Sequence, residues 1–245
     1  MVGPERTAAG IDGSARPVTT DLAMAQPAAS WQRQLRRRIA TLPWVKAAGN
    51  TVFLLLFFNT YFALQHQPFF AVTQIPATPL DDWIAFQPWA MVPYLSLWVY
   101  TALPLALQPA WRPLLRYGAH MTALCLFGLT VFLLWPTSVS DAMGQRAGGG
   151  ALDALYAIDD AGNACPSLHV AASVFTFLWL RAQLGAVGAP RWLHAVNAGW
   201  CLFICYATLA TKQHLVLDVA AGAALGLLGG FWSLRATRRR ETPMQ

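Results

Sequence analysis

Two short blocks of this chain carry the residue types that can move a phosphoryl group. They are Cys165-Pro166-Ser167-Leu168-His169 and Lys212-Gln213-His214-Leu215-Val216-Leu217-Asp218, and each stands where an apolar run begins. Proline suits the first helical position, so Pro166 predicts a helix start there. The free N–H groups of Ser167, Leu168 and His169 would then form an anion site at the positive end of the helix dipole. Ser167 adds a hydroxyl donor to such an anion, and His169 stands on the same turn. His214 and Asp218 are four residues apart, which on a helix puts them on one face within hydrogen-bonding reach. A carboxylate on one ring nitrogen fixes the tautomer and leaves the other nitrogen free as a nucleophile. Lys212 either brings positive charge to phosphate oxygens or snorkels its ammonium to an interface. A serine at a helix start, two histidines and a carboxylate are the parts of a phosphohistidine mechanism.

The elements that must position them are membrane spans. The chain has 245 residues, of which 56% are hydrophobic and 11% charged, too apolar for an ordinary soluble domain. Apolar runs at about residues 44–64, 83–107, 118–136, 166–182, 192–212 and 214–235 each approach the ~20 residues that cross a ~30 Å hydrocarbon core. The expected fold is therefore all-α, a polytopic six-transmembrane-helix bundle. Residues 1–40 are expected to be a disordered cytoplasmic tail, 41–236 the six-span membrane domain and 237–245 a basic cytoplasmic tail. No apolar stretch follows Met1 until beyond residue 40, which argues against a cleavable signal peptide.

Basic residues near span ends stay on the cytoplasmic side. The tail to Lys46, the loops around Arg112 and Arg191 and the C-terminus hold fifteen of the 17 basic residues, leaving only Arg146 and Lys212 on the other side. Both termini are thus expected to be cytoplasmic and both blocks to meet at the outer boundary. The net charge of +6 reports this topology and does not point to nucleic-acid binding. The expected location is a bacterial inner (cell) membrane, with the active site facing the periplasm or exterior and the bilayer as the surroundings.

Other features refine this picture. Cys125, Cys201 and Cys205 fall inside spans and Cys165 has no obvious mate, so neither a disulfide framework nor a metal-ligand spacing is indicated. Gly222, Gly226 and Gly230 recur every four residues, a spacing that lets helices approach closely. Trp44, Trp83, Trp111, Trp135 and Trp192 sit near span ends and read as interfacial anchors. The external segment 137–164, with Gly148-Gly149-Gly150 and Asp159-Asp160, is a candidate cover for the site or a plain solvated loop. His120 and His194, both near inner ends of spans, leave a haem-bearing electron carrier as a competing class.

On Pro166-Ser167-Leu168-His169 and His214-Leu215-Val216-Leu217-Asp218, followed by Val219 and Gly222, the chain resembles the type-2 phosphatidic-acid phosphatase superfamily. The resemblance extends from about Trp83 to Trp232. It implies that His214 attacks phosphorus, Asp218 orients it, His169 protonates the leaving alcohol and then activates water or an acceptor alcohol, and Ser167 holds phosphate oxygens. Lys212 joins Ser167 as a substrate-binding candidate. The resemblance implies no metal and no cofactor, and the partner is a membrane lipid substrate.

The chain also departs from the phosphatase branch. That branch carries Lys-x6-Arg-Pro before the serine block, where this chain offers only Trp135-Pro136. Ala207-Thr208 stands in place of Ser-Arg, and Leu168 in place of a glycine. These changes resemble the branch that includes inositol phosphorylceramide synthases and sphingomyelin synthases, which transfer head groups between lipids. Fewer charges for phosphate fit a phosphodiester better than a dianionic monoester. The expected activity is a lipid phosphatase or phosphotransferase acting at the outer face through a phosphohistidine. The alternative is a catalytically inactive phospholipid-binding membrane protein of the same fold.

Overall fold

The computed structural model describes residues 1–3, 30–139 and 162–241. Most of the segment 137–164, with its three glycines and its acidic pair, lies outside the described residues. The chain folds as α1 (Trp31–Ala40), α2 (Pro43–His66), a short α3 (Pro79–Trp83), a 3-10 turn (Pro88–Ala90) running into α4 (Met91–Leu95) and α5 (Leu97–Ala106), and α6 (Trp111–Leu134). After residue 161 come α7 (Leu168–Ala186), α8 (Arg191–Ala210) and α9 (Val216–Glu241). Two-residue strands β1 (Thr73–Gln74) and β2 (Thr137–Ser138) pair in parallel and join the loops that follow α2 and α6.

Among the described residues, five elements are long and apolar enough to cross a membrane: α2, the stretch Pro88–Ala106, α6, α8 and α9 as far as Arg239. They mark an integral membrane protein of mostly helical build. The helix expected at 166–182 exists as α7 but is not one of the five. Its position gives the reason. It is the axis of the bundle, packed against α5, α6, α8 and α9, so Ser173, Thr176 and Gln183 are buried in protein and not offered to lipid. A helix sheathed by its neighbours need not be as apolar as one that faces hydrocarbon.

Other boundaries also move. The second run was expected from residue 83, but Trp83 closes the separate helix α3, and the span begins at Pro88. The last helix begins at Val216, two residues after His214. Residues 31–40, expected within the disordered tail, form the amphipathic helix α1, which carries Arg33, Arg36, Arg37 and Arg38. Residues 237–241, expected as a basic tail, continue α9.

The small-residue stripe explains how α9 reaches the axis. A methyl group on Gly222 would stand 2.3 Å from the Ser167 carbonyl oxygen, one on Gly226 2.5 Å from that of Ala171, and one on Gly230 2.5 Å from Leu178. Helix α9 can lie against α7 only because those side chains are missing. The apolar filling runs through Tyr117, Leu124, Phe132, Leu168, Phe175 and Trp179 on the α6 side of the axis. On the other side it runs through Leu97, Tyr100, Val170, Leu184, Cys201 and Ile204. Trp44, Trp83, Trp111, Trp135 and Trp192 are all exposed, as interfacial anchors require. The four cysteines are free thiols.

Candidate active site

Both blocks meet at one end of the bundle. Ser167 is the N-cap of α7, its Oγ accepting the Val170 N–H at 3.2 Å. Pro166 therefore stands one residue before the cap and not at the first helical position. The Ser167 N–H is not free either, because it donates to the backbone oxygen of Asp218 at 3.0 Å. That bond ties the start of α7 to the first turn of α9, and Gly222 keeps the approach open. Cys165 N–H donates to Thr137 Oγ1 at 2.8 Å, and Asn163 Nδ2 donates to the Tyr61 oxygen at 2.9 Å, so the entry to the serine block hangs from β2 and α2. Burial and, second, the charge on Asp218 push the Cys165 thiol above its ordinary range.

His214 and Asp218 pair, although not as two residues on a helical face. His214 lies in the turn before α9. Its Nδ1 is 2.6 Å from Asp218 Oδ2, and the Leu215 N–H donates to Asp218 Oδ1 at 2.6 Å. The carboxylate thus reaches back from the first turn of α9, much as a capping acid does, and holds backbone and imidazole together. A carboxylate oxygen accepts, so Nδ1 carries the proton and Nε2 keeps its lone pair. Asp218 is fully buried.

His169 occupies the first turn of α7. Its Nε2 lies 2.9 Å from the Tyr94 carbonyl oxygen, which only accepts, so Nε2 carries a proton. Its ring stacks on the Tyr94 ring, centroids 4.0 Å apart and planes within 15°, with Trp98 edge-on at 6.0 Å. Stacking and hydrogen bond together fix the ring plane. His169 and His214 both line a cavity of about 510 Å³, together with Asn163 and Tyr94.

Lys212 neither snorkels nor stands in the open. It is buried, with φ +54°, and its Nζ donates to the Asp81 oxygen at 2.7 Å. The segment is anchored from behind: both Gln213 and His214 N–H groups donate to the Thr208 oxygen at 3.2 Å. From the other side, Asp81 Oδ1 accepts the Val216 N–H at 2.8 Å. Asp81 Oδ2 meanwhile takes the Thr78 N–H and hydroxyl, both at 2.7 Å, closing a capping box on α3. Asp81 is thus a buried clamp on the turn that carries His214.

Sequence reasoning missed this residue. The spacing Thr78-Pro79-Leu80-Asp81 announces the capping box, but nothing local announces the bond to Val216, 135 positions away. It also missed Gln213, whose buried Nε2 has no hydrogen-bond partner among the described residues. His120 is packed between the rings of Trp179 and Trp232, while His194 lines a separate cleft with Arg38 and Arg181. Among the described residues, no group of three or more His, Cys, Asp and Glu side chains is placed to hold a metal ion.

With the serine block, the histidine-carboxylate pair and the shared cavity in place, the comparison of the chain with known families is decisive: residues 20–242 match the PAP2 superfamily. The chain belongs to that superfamily. PAP2 members are generally phosphatases or phosphotransferases, and the membrane-type phosphatase fold is consistent with action on lipids. No curated protein and no solved structure matches this PAP2 chain.

Proposed function

We propose that this PAP2 protein is a lipid phosphatase or head-group phosphotransferase that works through a phosphohistidine on His214 at the outer face of the membrane. One observation carries the reading. The Asp218 bond at 2.6 Å places the proton of the neutral His214 ring on Nδ1 and directs the Nε2 lone pair away from the carboxylate, and the cavity that His214 lines also contains His169 and continues between membrane-crossing helices.

In the first step the Nε2 lone pair of His214 attacks phosphorus. The P–N bond forms as the P–O bond to the leaving alcohol breaks, and a proton from His169 goes to the departing oxygen. Asp218 stabilises the imidazolium that forms. In the second step His169, now the base, takes a proton from water or an acceptor alcohol whose oxygen attacks phosphorus. The P–N bond breaks and free His214 returns. Water yields a phosphate product, and a lipid alcohol yields a new phosphodiester. The Tyr94 carbonyl takes the Nε2–H of His169, so the ring acts as acid by giving up a second proton, carried on Nδ1, and is left neutral to serve as the base of the second step.

Phosphate oxygens need donors. Ser167 keeps its hydroxyl hydrogen for one, since its Oγ only accepts from Val170. Gln213, the residue before His214, has a buried Nε2 with no partner among the described residues and is a second candidate for part of the task of the missing basic block. Two uncharged donors and the tethered Lys212 favour a phosphodiester or other low-charge head group, the substrate class of the inositol phosphorylceramide and sphingomyelin synthase-like branch.

Purified protein incubated with phosphatidate, isoprenyl diphosphate and phospholipid with diacylglycerol or ceramide tests the proposal. Turnover of at least one substrate, unchanged by a chelator, is the expected result. A strict need for added divalent metal, or binding without turnover across the panel, would overturn it.

A further inference from the structure

The cavity at the two histidines does not end there. It continues along the whole inner side of α2, from Tyr61 past Phe57 and Phe53 to Gly49 and Lys46, with α5 and α6 as the opposite wall. Resting on the lipid-substrate reading above, we propose that this cleft receives one extended hydrocarbon chain of the substrate, and that Gly49 and Gly118 leave the room for the far end of that chain.

Helix α2 is the least embedded of the spans, with Lys46 its only buried residue. It stands off from the bundle and leaves a space whose polar groups gather at the ends. His169, His214 and Asn163 are at one end, and Lys46 and Asn50 at the other. Between them the wall is chiefly apolar, and two of its polar groups are occupied within it. Thr101 Oγ1 donates to the Leu97 oxygen at 3.0 Å and the Tyr117 hydroxyl to the Thr101 oxygen at 3.1 Å. A wall of that kind prefers hydrocarbon to any polar guest.

The foot is built. Lys46 Nζ donates to the Arg38 and Ala106 oxygens at 2.6 and 2.7 Å, which fastens α1 and the end of α5 across the bottom. Just above it, Gly49 of α2 and Gly118 of α6 both line the space, and a methyl group on either would meet nothing within 4 Å. At 1.5 Å per residue, Lys46 to Tyr61 spans roughly 22 Å. An extended chain gains about 1.2 Å per bond, as the peptide backbone does, so the cleft takes on the order of eighteen carbons. It ends at the reacting histidines, which is why the occupant is the chain borne by the reacting phosphate and not a bystander lipid.

The test uses the full-length protein in detergent and an eighteen-carbon alkyl phosphate with a photoreactive diazirine on its last carbon. Irradiation should label peptides around Gly49 and Gly118, and unlabelled alkyl phosphate should compete. In Gly118→Leu and in Gly49→Leu that labelling should fall about tenfold, the loss expected when about two methylenes are kept off a dry wall. Gly118→Ala should keep it and so serves as the folding control. Label spread over the outer lipid-facing residues, such as Leu202 and Leu228, without competition would overturn the proposal. Equal labelling in the leucine variants would overturn it too. Because the readout is labelling and not turnover, a protein that labels at the foot yet releases no product would defeat the enzymatic reading while leaving the cleft assigned.

Discussion

The two ends of α8 meet turns of the same design built from different residues. At one end, α7 stops with Gly188 N–H donating to the Gly185 oxygen at 3.1 Å and Ala189 N–H to the Leu184 oxygen at 3.0 Å. At the other, α8 stops with Lys212 N–H donating to the Leu209 oxygen at 3.0 Å and Gln213 N–H to the Thr208 oxygen at 3.2 Å. Both are the paired bonds of a Schellman ending, which needs a left-handed residue at its centre. Gly188 takes φ +67° without cost, whereas Lys212 takes φ +54° with a side chain, at about 1 kcal/mol or more. The plain turn uses the plain residue. The strained one lies two residues before His214, and what offsets the strain is the buried ammonium on the Asp81 oxygen.

The two turns should diverge most in their effect on turnover when the carboxylate behind His214 is altered. Asp218→Asn leaves the size unchanged but cannot accept from both Leu215 N–H and His214 Nδ1–H with two oxygens. Turnover should fall by about 10²- to 10⁴-fold, because the imidazole loses both its fixed tautomer and its counter-charge. Steady-state rates on well-folded protein check this, and a rate within a few-fold of wild type would remove Asp218 from the mechanism.

A smaller effect is expected at the clamp. Asp81→Ala frees Val216 N–H and opens α3, so the turn carrying His214 drifts while the Gly188 turn does not change. A displacement of about 1 Å costs on the order of 100-fold in rate. The loss should appear in kcat at temperatures where the variant is still folded, alongside a lowered thermal midpoint from the lost bonds, and a variant that only unfolds earlier with kcat unchanged would show Asp81 to be structural alone.

The smallest effects come from exchanging the two turn residues. Gly188→Ala should cost about 1 kcal/mol of stability with activity intact, since it imports left-handed strain where nothing offsets it. Lys212→Gly relieves strain but loses a charge-assisted bond of about 1.5–3 kcal/mol, so the two partly cancel in stability while the rate drops. Thermal unfolding in detergent and rates on the same samples separate the two. Wild-type activity in Lys212→Gly would make the lysine an awkward helix terminator and nothing more.

The sequence made the apolar helices and the two blocks legible because both are local patterns. Span periodicity, Pro166-Ser167 before an apolar run and a histidine four residues before an aspartate all lie within a few residues of one another. The details that long-range contacts decide were not legible. The pairing of His214 with Asp218 is right, but it arises from a capping carboxylate and not from a helical face. Ser167 was expected to have a free N–H, which instead binds the backbone of Asp218, 51 residues on. Lys212 was open between phosphate and interface, and its tie to Asp81 spans 131 positions. Residues 31–40 were read as a disordered tail because they lack a sustained apolar period, yet Trp31 rests edge-on against Trp192 and Lys46 caps the helix end.

The central claim is that His214 Nε2 takes the phosphoryl group. Rapid quenching of the purified protein with a lipid phosphate carrying radiolabelled phosphorus measures it directly. The expected result is a covalent label that survives alkali, is lost in acid as a phosphoramidate is, maps to the peptide containing His214 and is absent in His214→Ala. An acid-stable label, a label on another peptide, or turnover retained in His214→Ala would contradict it.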